Sequence, residues 1–327
     1  MITRRLALSG IASLALPGIG VAQDRFPSRP IRIINPYGPG GASDIISRLV
    51  ADQMRELLGQ PVIVENRPGA GGLIAAEVVA RAQPDGHTIM IGNTTTNVLT
   101  PLTFRGRPPV DVFIDMAAIT RMADLPAVFA VTKDFGPRTM REVIDYAKRH
   151  PGDVKYPTPG VATYAHFDME LLAKRNGVEF THLPMPRGAA PILSALMRND
   201  AQFITLNPAA LRPVLESGAV LPIAVTSHER MPEFPNVPTM AEAGFPGIGS
   251  ISWVAMFAPQ GLPPAATTAL HRSITQALRA EAVLTSFRRQ IITAAPSSTP
   301  DDAKTWLMAD VAYWRRLIAE TGIELAD

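Results

Sequence analysis

The chain has no cysteine, which excludes a disulfide scaffold, a thiol nucleophile and a thiolate metal site. It also has little net charge. Lys and Arg number 31 against 29 Asp and Glu, and two of the basic residues, Arg4 and Arg5, stand in a leader-like N-terminus; without them the balance is zero. Nucleic-acid binding calls for a basic stripe, and none is present. The histidines are scattered without metal-ligand spacing, so no zinc site is implied. Ser43, Asp44 and His166 could be combined on paper as a hydrolase triad, but Ser43 is not in a Gly-x-Ser-x-Gly elbow, and the chain is read as a non-enzyme. There is no internal repeat, no low-complexity tract, and no apolar stretch long enough to span a membrane.

What is present begins with an export signal. Arg4 and Arg5 are followed by an apolar run from Leu6 to Leu16 and a small-residue exit ending at Ala22, a pattern that predicts a leader over 1–22 cleaved before Gln23. Thr3-Arg-Arg-Leu leaves both general and twin-arginine export open. The protein is therefore expected in the periplasm. Some 305 further residues exceed what one core usually serves, which favours two domains.

The most informative stretch is Ile31 to Asp44, in which an apolar strand runs into Pro36-Tyr-Gly-Pro-Gly-Gly41 and then opens a helix. Gly40 and Gly41 let a ligand approach the backbone, and the free N–H groups of a helix start favour an anion. Val62 to Glu65, Asn66-Arg-Pro-Gly-Ala-Gly-Gly72 and the helix from Leu73 repeat the design. Strands at 88–91 and 117–120 continue a first alternating set, and Pro84-Asp-Gly86 is a turn. A second set follows Leu125: a strand at 127–131, a helix opened by Thr139-Met-Arg-Glu142, a strand at 154–156, the turn Thr158-Pro-Gly-Val-Ala-Thr163, a helix at 164–174, and strands at 201–205 and 223–226. A proline- and glycine-rich connection spans 228–249, with Thr239-Met-Ala-Glu242 read as the cap of a short helix. Ser252 to Ala258 is a strand, 264–280 an amphipathic helix, and Thr299-Pro-Asp-Asp302 opens a last helix lined by Trp306, Tyr313, Trp314 and Leu317.

Asn35-Pro-Tyr-Gly-Pro-Gly-Gly-Ala-Ser-Asp44, Val64-Glu-Asn-Arg-Pro-Gly-Ala-Gly-Gly72, Pro84-Asp-Gly-His-Thr88, Ala224-Val-Thr-Ser227 and Pro235-Asn-Val-Pro-Thr-Met-Ala-Glu-Ala-Gly244 together resemble the Bug family of periplasmic receptors, the extracytoplasmic components of tripartite tricarboxylate transporters. The resemblance covers essentially the whole chain after the leader. It implies an α/β, type II periplasmic-binding-protein fold: two lobes, each a mostly parallel sheet with helices on both faces, joined by crossover strands. The lobes are expected at 23–124 with 250–327, and at 125–249. Three departures stand out. Thr158-Pro-Gly-Val-Ala-Thr-Tyr164 replaces a serine- and glycine-rich turn, Gln202 and Leu206 replace aspartates, and Met185-Pro-Arg-Gly188 replaces a Tyr-Lys-Gly or Tyr-Arg-Gly turn.

The resemblance implies a receptor that holds a small mono- or dicarboxylate between its lobes and delivers it, as a monomer, to membrane permease subunits. A signalling protein as the partner, or a two-lobed periplasmic enzyme, are the alternatives. The candidate ligand-binding residues are Tyr37, Gly40, Gly41, Ala42, Asp44, Thr94 and Thr95 in the first lobe, and Thr158, Gly160, Thr163, Tyr164 and Asn207 in the second. Asp44 reads equally as a helix-start residue favoured by the dipole. Gly69, Gly71 and Gly72 read as structural, Arg67 as an ion pair with Glu65, His166 as a residue that orders its turn, and Arg187 with Gly188 as a solvated charge or a rim contact. No cofactor, metal or catalytic residue is expected.

Overall fold

The computed structural model describes residues 26–104, 106, 108–185 and 189–323; the expected leader, Arg187 and Gly188 lie outside them. β1 (Ile31–Asn35) is apolar on both faces, with Ile31 and Ile33 in one core cluster and Ile34 in another. α1 (Ala42–Leu58) lays Ile46, Val50 and Met54 onto the first cluster and stops at Gly59, whose φ of 66° suits only a residue without a Cβ penalty. β2 (Val62–Asn66), α2 (Leu73–Ala80) and β3 (Thr88–Asn93) complete a right-to-left repeat in which β2 and β3 flank β1 in parallel. A π-helical turn over Thr95–Leu99 then runs into α3 (Thr100–Thr103), where the sequence suggested only a strand end.

β4 (Met116–Leu125) leaves this sheet and passes through Pro126 and Ala127 directly into β5 (Val128–Thr132) of a second, smaller sheet. There α4 (Met140–Arg149), β6 (Lys155–Thr158), α5 (Tyr164–Asn176), β7 (Thr181–Pro184), α6 (Ala189–Met197), β8 (Phe203–Leu206), α7 (Pro208–Glu216) and β9 (Val220–Val225) follow. The connection after β9 returns the chain to the larger sheet as β10 (Ser252–Pro259), followed by α8 (Pro264–Ala277), α9 (Glu281–Arg289), β11 (Thr293–Ala294) and α10 (Pro300–Thr321). The larger sheet is ordered β11-β4-β10-β3-β1-β2, the smaller β8-β5-β9, with β6 and β7 a parallel pair beside it. Gln202 joins that pair to β8: its amide donates to the Lys155 carbonyl at 2.9 Å, and its side chain accepts from the Lys155 amide.

Two lobes of α/β structure are therefore present, with one qualification of the expected sheets. Each contains a strand that arrives from the other lobe and runs against its neighbours: β10 lies antiparallel between β3 and β4, and β5 antiparallel between β8 and β9. A crossover strand enters from the hinge side, so its direction opposes strands that point toward the cleft. The expected helix over 264–280 is present and ends at Ala277; the chain is extended at Ala280, and a further helix, α9, follows. Thr239 and Glu242 do form a reciprocal capping box, with Thr239 N to Glu242 Oε2 at 2.8 Å and Glu242 N to Thr239 Oγ1 at 3.1 Å. No helix follows, because Gly244, at φ 90°, and Pro246 close the segment as a turn.

α10 belongs to neither lobe alone. Its cap is Thr299, which accepts from the Asp302 amide at 3.0 Å; Asp310 accepts from the Trp253 indole at 2.8 Å in the larger sheet. Further along, Trp314 meets Phe167 of α5 edge-on, and Glu320 pairs with Arg175 at 2.8 Å. One hydrophobic cluster consequently runs from Ile34 and Met90 through Trp253 and Trp314 to Phe167 and Phe203.

Candidate functional site

Three strand ends meet at one edge of the larger sheet. After β1 the chain turns through Pro36 to Gly41, and Gly41 starts α1 in extended conformation without any side-chain cap. The first-turn amides of Ala42, Ser43 and Asp44 therefore have neither a helical carbonyl nor a capping oxygen as partner. Gly38, Gly40 and Gly41 are exposed, and a Cβ built on any of them would meet nothing within 4 Å. The turn is open to solvent.

The side chains around it are spent on holding its shape. Asp44 is 4 % exposed and accepts from the Gly40 amide at 3.0 Å, the Asn66 side chain at 2.9 Å and Arg48 at 2.9 Å. Burial alone would raise its carboxyl; the hydrogen bonds from Arg48, the Gly40 amide and Asn66 outweigh it and hold the group at about 2. Asp44 is thus an anion already supplied with donors, and it braces the helix start. Asn66, at the end of β2, also donates to the Tyr37 carbonyl at 2.8 Å. Tyr37 is half-buried, its hydroxyl between Thr96 Oγ1 at 2.8 Å and Asn93 Nδ2 at 3.1 Å. Burial raises the phenol against these hydrogen bonds, so it stays a neutral donor.

The threonines after β3 divide. Thr94 is fully buried and turned away, accepting from the Trp253 amide at 3.1 Å and meeting Ser252 Oγ at 3.4 Å. These bonds fasten β3 to β10. Thr95 is half-buried at the start of the π-helical turn. The glycines of the second turn pack closely, as their structural reading required: a Cβ on Gly72 would lie 2.3 Å from Thr96 Cγ2, and Gly72 has φ 97°. Arg67 pairs with Glu65 at 3.3 Å.

In the smaller lobe the turn 158–163 is ordered by its own side chains. Thr158 is fully buried, its hydroxyl donating to the Gly160 carbonyl at 2.9 Å and accepting from the Gly160 amide at 3.2 Å. Thr163 caps α5 by accepting from the His166 amide and donates to the Gly160 carbonyl at 2.9 Å. Gly160 itself has φ 152° and open space at its Cβ position. Asn207 caps α7, with Oδ1 2.9 Å from the Ala209 amide, while Nδ2 donates to the Pro126 carbonyl at 3.0 Å. That side chain ties α7 to the crossover. Tyr164 is half-buried against two core clusters, and its hydroxyl meets the Asn207 backbone amide.

The two half-sites are connected through the crossover strands. Thr94 is bonded to Ser252 and Trp253, Ser252 pairs with Leu125, and Asn207 is bonded to the next residue, Pro126. The sequence reading assigned no role to Asn66, Asn93 or Ser252. Asn66 and Asn93 were legible as polar residues ending apolar strands, whereas Ser252 lies 158 residues from Thr94 and carries no local signal.

Among the described residues no helix is long and apolar enough to cross a membrane, and no His, Asp and Glu group is placed to hold a metal. Known proteins share this sequence and fold. The chain is 32% identical to Protein BugT of Bordetella pertussis over 99% of both sequences. Its fold matches the structure of R. palustris Rpa4515 with adipate at a TM-score of 0.82 and 30% identity, covering 91% of this chain and 99% of that one. It also matches MatC (Rpa3494) from Rhodopseudomonas palustris with bound malate at a TM-score of 0.77 and 27% identity, covering 90% and 100%. With residues 46–323 matching the family model described as the tripartite tricarboxylate transporter family receptor, the chain belongs to that family of periplasmic receptors.

Proposed function

We propose that this receptor encloses a small carboxylate between its lobes, with one carboxylate group on the backbone amides of Gly41 to Ser43 and the far end of the ligand against the turn 158–163. The observation that carries this reading is the start of α1, exposed, glycine-lined and uncapped. Two relatives with carboxylates bound, one a six-carbon diacid and one a hydroxy diacid, support the ligand class. The guanidiniums that flank the turn in sequence, Arg32 and Arg48, are paired with Glu65 and Asp44, so the anion is held by dipoles and N–H groups in place of a point charge. Helix N-termini contribute about 0.3–2 kcal/mol and hydrogen bonds to a charged group about 1.5–3 kcal/mol each. A handful of these, less the cost of closure, reaches the roughly 8 kcal/mol of micromolar binding.

On this reading the lobes are 23–124 with 250–327, and 125–249, and they close about Pro126 and the connection after β9 when ligand bridges them. The exported form starts at Gln23, acts as a monomer, and hands its closed complex to membrane permease subunits. Calorimetry of the purified protein with adipate, malate and monocarboxylates of matching length tests the core of the proposal. Saturable micromolar binding of at least one acid, lost in Gly41→Asp, is the expected result; no heat with any of them from a folded protein overturns it.

A further inference from the structure

Behind the turn 158–163 lie three rings in a stack. Tyr156 of β6 covers His182 of β7 with centroids 4.9 Å apart and 18° between planes, and His182 covers His166 of α5 at 4.0 Å and 16°. Tyr156 is fully buried and His166 is 8 % exposed. Neither imidazole serves the core merely as bulk, because each holds a different point of the turn.

His166 accepts from the Ala162 amide through Nδ1 at 3.2 Å. Ala162 has φ 55°, a left-handed conformation that a residue with a Cβ adopts only when its surroundings impose it. The bond from its amide is such an imposition, and it requires a lone pair on Nδ1. His166 must therefore be neutral with its proton on Nε2, which faces Glu170 Oε1 at 3.9 Å. His182 Nε2 lies 2.7 Å from Thr158 Oγ1. Since that hydroxyl gives its proton to the Gly160 carbonyl, Nε2 is the donor, and His182 carries its proton there.

We infer that His166 and His182 are the positioning pair of the second-lobe grip: as neutral stacked rings they fix Thr158 and Ala162, and protonating the pair undoes the turn and releases the ligand. This inference rests on the proposed placement of a carboxylate ligand against the turn. A proton added to His166 puts an N–H against the Ala162 N–H and destroys the bond that holds the left-handed residue. A proton on each ring places like charges face to face at 4.0 Å in a poorly solvated stack. Burial lowers His166 to about 4, and burial followed by repulsion from His166 lowers His182 to about 4. Both rings are thus neutral at neutral pH.

The other titratable groups facing the pair are Glu170 on α5 and Tyr156 on β6. The Tyr156 hydroxyl donates to Glu170 Oε1, which ties that carboxylate to the same stack. Tyr164 and Asp168 share α5 but are turned elsewhere, toward Asn207 and Ser250. On β7, Thr181 binds the Gly152 carbonyl and brings no charge.

The test compares the wild type with His166→Asn, His166→Leu, His182→Gln and the Asn/Gln double variant. Asn keeps an acceptor where Nδ1 stood, and Gln keeps a donor where Nε2 stood, but neither titrates. Calorimetry with adipate at neutral pH should show His166→Asn near wild type and His166→Leu weaker by roughly ten-fold, the equivalent of one lost hydrogen bond. Between about pH 7.5 and about pH 4, the wild type should lose more affinity than the double variant, whose decline reports adipate and every titrating group except the two rings. Superposable pH curves, or His166→Leu binding as the wild type, would overturn the inference. A ligand-free measurement separates its failure from that of the proposed ligand. In the NMR spectrum of the unliganded protein, the Ala162 amide should titrate with the His166 ring, and an Ala162 amide indifferent to that titration sinks the positioning role whatever adipate does.

Discussion

The hydroxyl of Tyr37 stands 2.8 Å from Oγ1 of Thr96, so the turn after β1 is pinned to the turn after β3. The same hydroxyl meets Asn93, which also accepts from the Thr96 amide at 3.0 Å. Polar side chains at this edge hydrogen-bond one another, and the glycine turn leaves its backbone exposed. Tyr37→Phe keeps the ring and removes the pin. It should cost about 1–2 kcal/mol in urea unfolding, the net worth of one or two hydrogen bonds, and weaken ligand binding because the turn is no longer held. Unchanged affinity in a variant that has lost this stability would show that the turn keeps its shape without Tyr37.

Two glycines separate ligand contact from packing. Gly41 has φ −79°, and a Cβ there meets open space. Gly41→Asp should therefore fold with stability within about 0.5 kcal/mol of the wild type, as surface substitutions usually do. It should also lose roughly 100-fold or more in affinity, since a side chain and a negative charge displace at least two charge-assisted hydrogen bonds. Gly72→Ala reverses the pattern. Its φ is 97° and the added methyl would meet Thr96 Cγ2 at 2.3 Å, so a stability loss of about 1–3 kcal/mol is expected from strain and overpacking. Thermal unfolding and calorimetry on both variants check the pair, and a stable Gly72→Ala would contradict the close approach.

Asp168 makes stability depend on pH. It is 1 % exposed and accepts from the Ser250 amide at 2.9 Å and the Ser250 hydroxyl at 2.6 Å. Burial raises it to about 7, against the lowering effect of those two hydrogen bonds. The folded state then holds this proton more tightly than the unfolded chain, where the carboxyl titrates near about 3.9. The contribution is full below the unfolded value and is lost as pH rises toward 7. His166 and His182, lowered to about 4, act in the opposite sense between there and their unfolded value of about 6.5. A difference measurement isolates the aspartate: the stability of Asp168→Asn relative to wild type should climb as pH goes from about 4 to about 7. Urea unfolding at several pH values shows it, and parallel curves would refute the assignment.

Much of the fold was legible because its signals are local. The apolar run of β1, the four-residue repeat of Ile46, Val50 and Met54, and the Thr299 cap of α10 each lie within a few residues. The site was legible as a turn and not as a set of contacts. Glycines mark where backbone is exposed, but the partners of Asp44, Thr94 and Asn207 come from Asn66, Trp253 and Pro126, which only the folded chain brings near. Polar residues after buried strands were read as ligand contacts, and in the fold they brace the turns as well. α6, α7 and α9 escaped notice for a different reason: each is nine residues long, and Pro191 and Pro213 sit within α6 and α7, which reads as loop in a linear scan.

Tyr164 tests the junction between the grip and the hinge. As a residue flanking a stiffened turn it was expected to face the ligand, yet its ring packs into the seam between two core clusters and its hydroxyl meets the Asn207 amide at the start of α7. Tyr164→Ser would strip that seam of a half-buried ring and should cost less than the about 3–5 kcal/mol of truncating a fully buried aromatic, yet enough that binding data on it would mix folding with recognition. Tyr164→Phe leaves the ring and removes the hydroxyl alone. Stability should then fall by about 1 kcal/mol, while the Asn207 amide is freed at a helix N-terminus beside the cleft. A new donor there favours ligands long enough to reach it, because specificity is a difference of affinities. A panel of diacids of increasing length, ranked by thermal shift, should move toward the longer members in Tyr164→Phe. The same ranking in both proteins would mean that the Tyr164 and Asn207 pair braces the hinge without reaching the ligand.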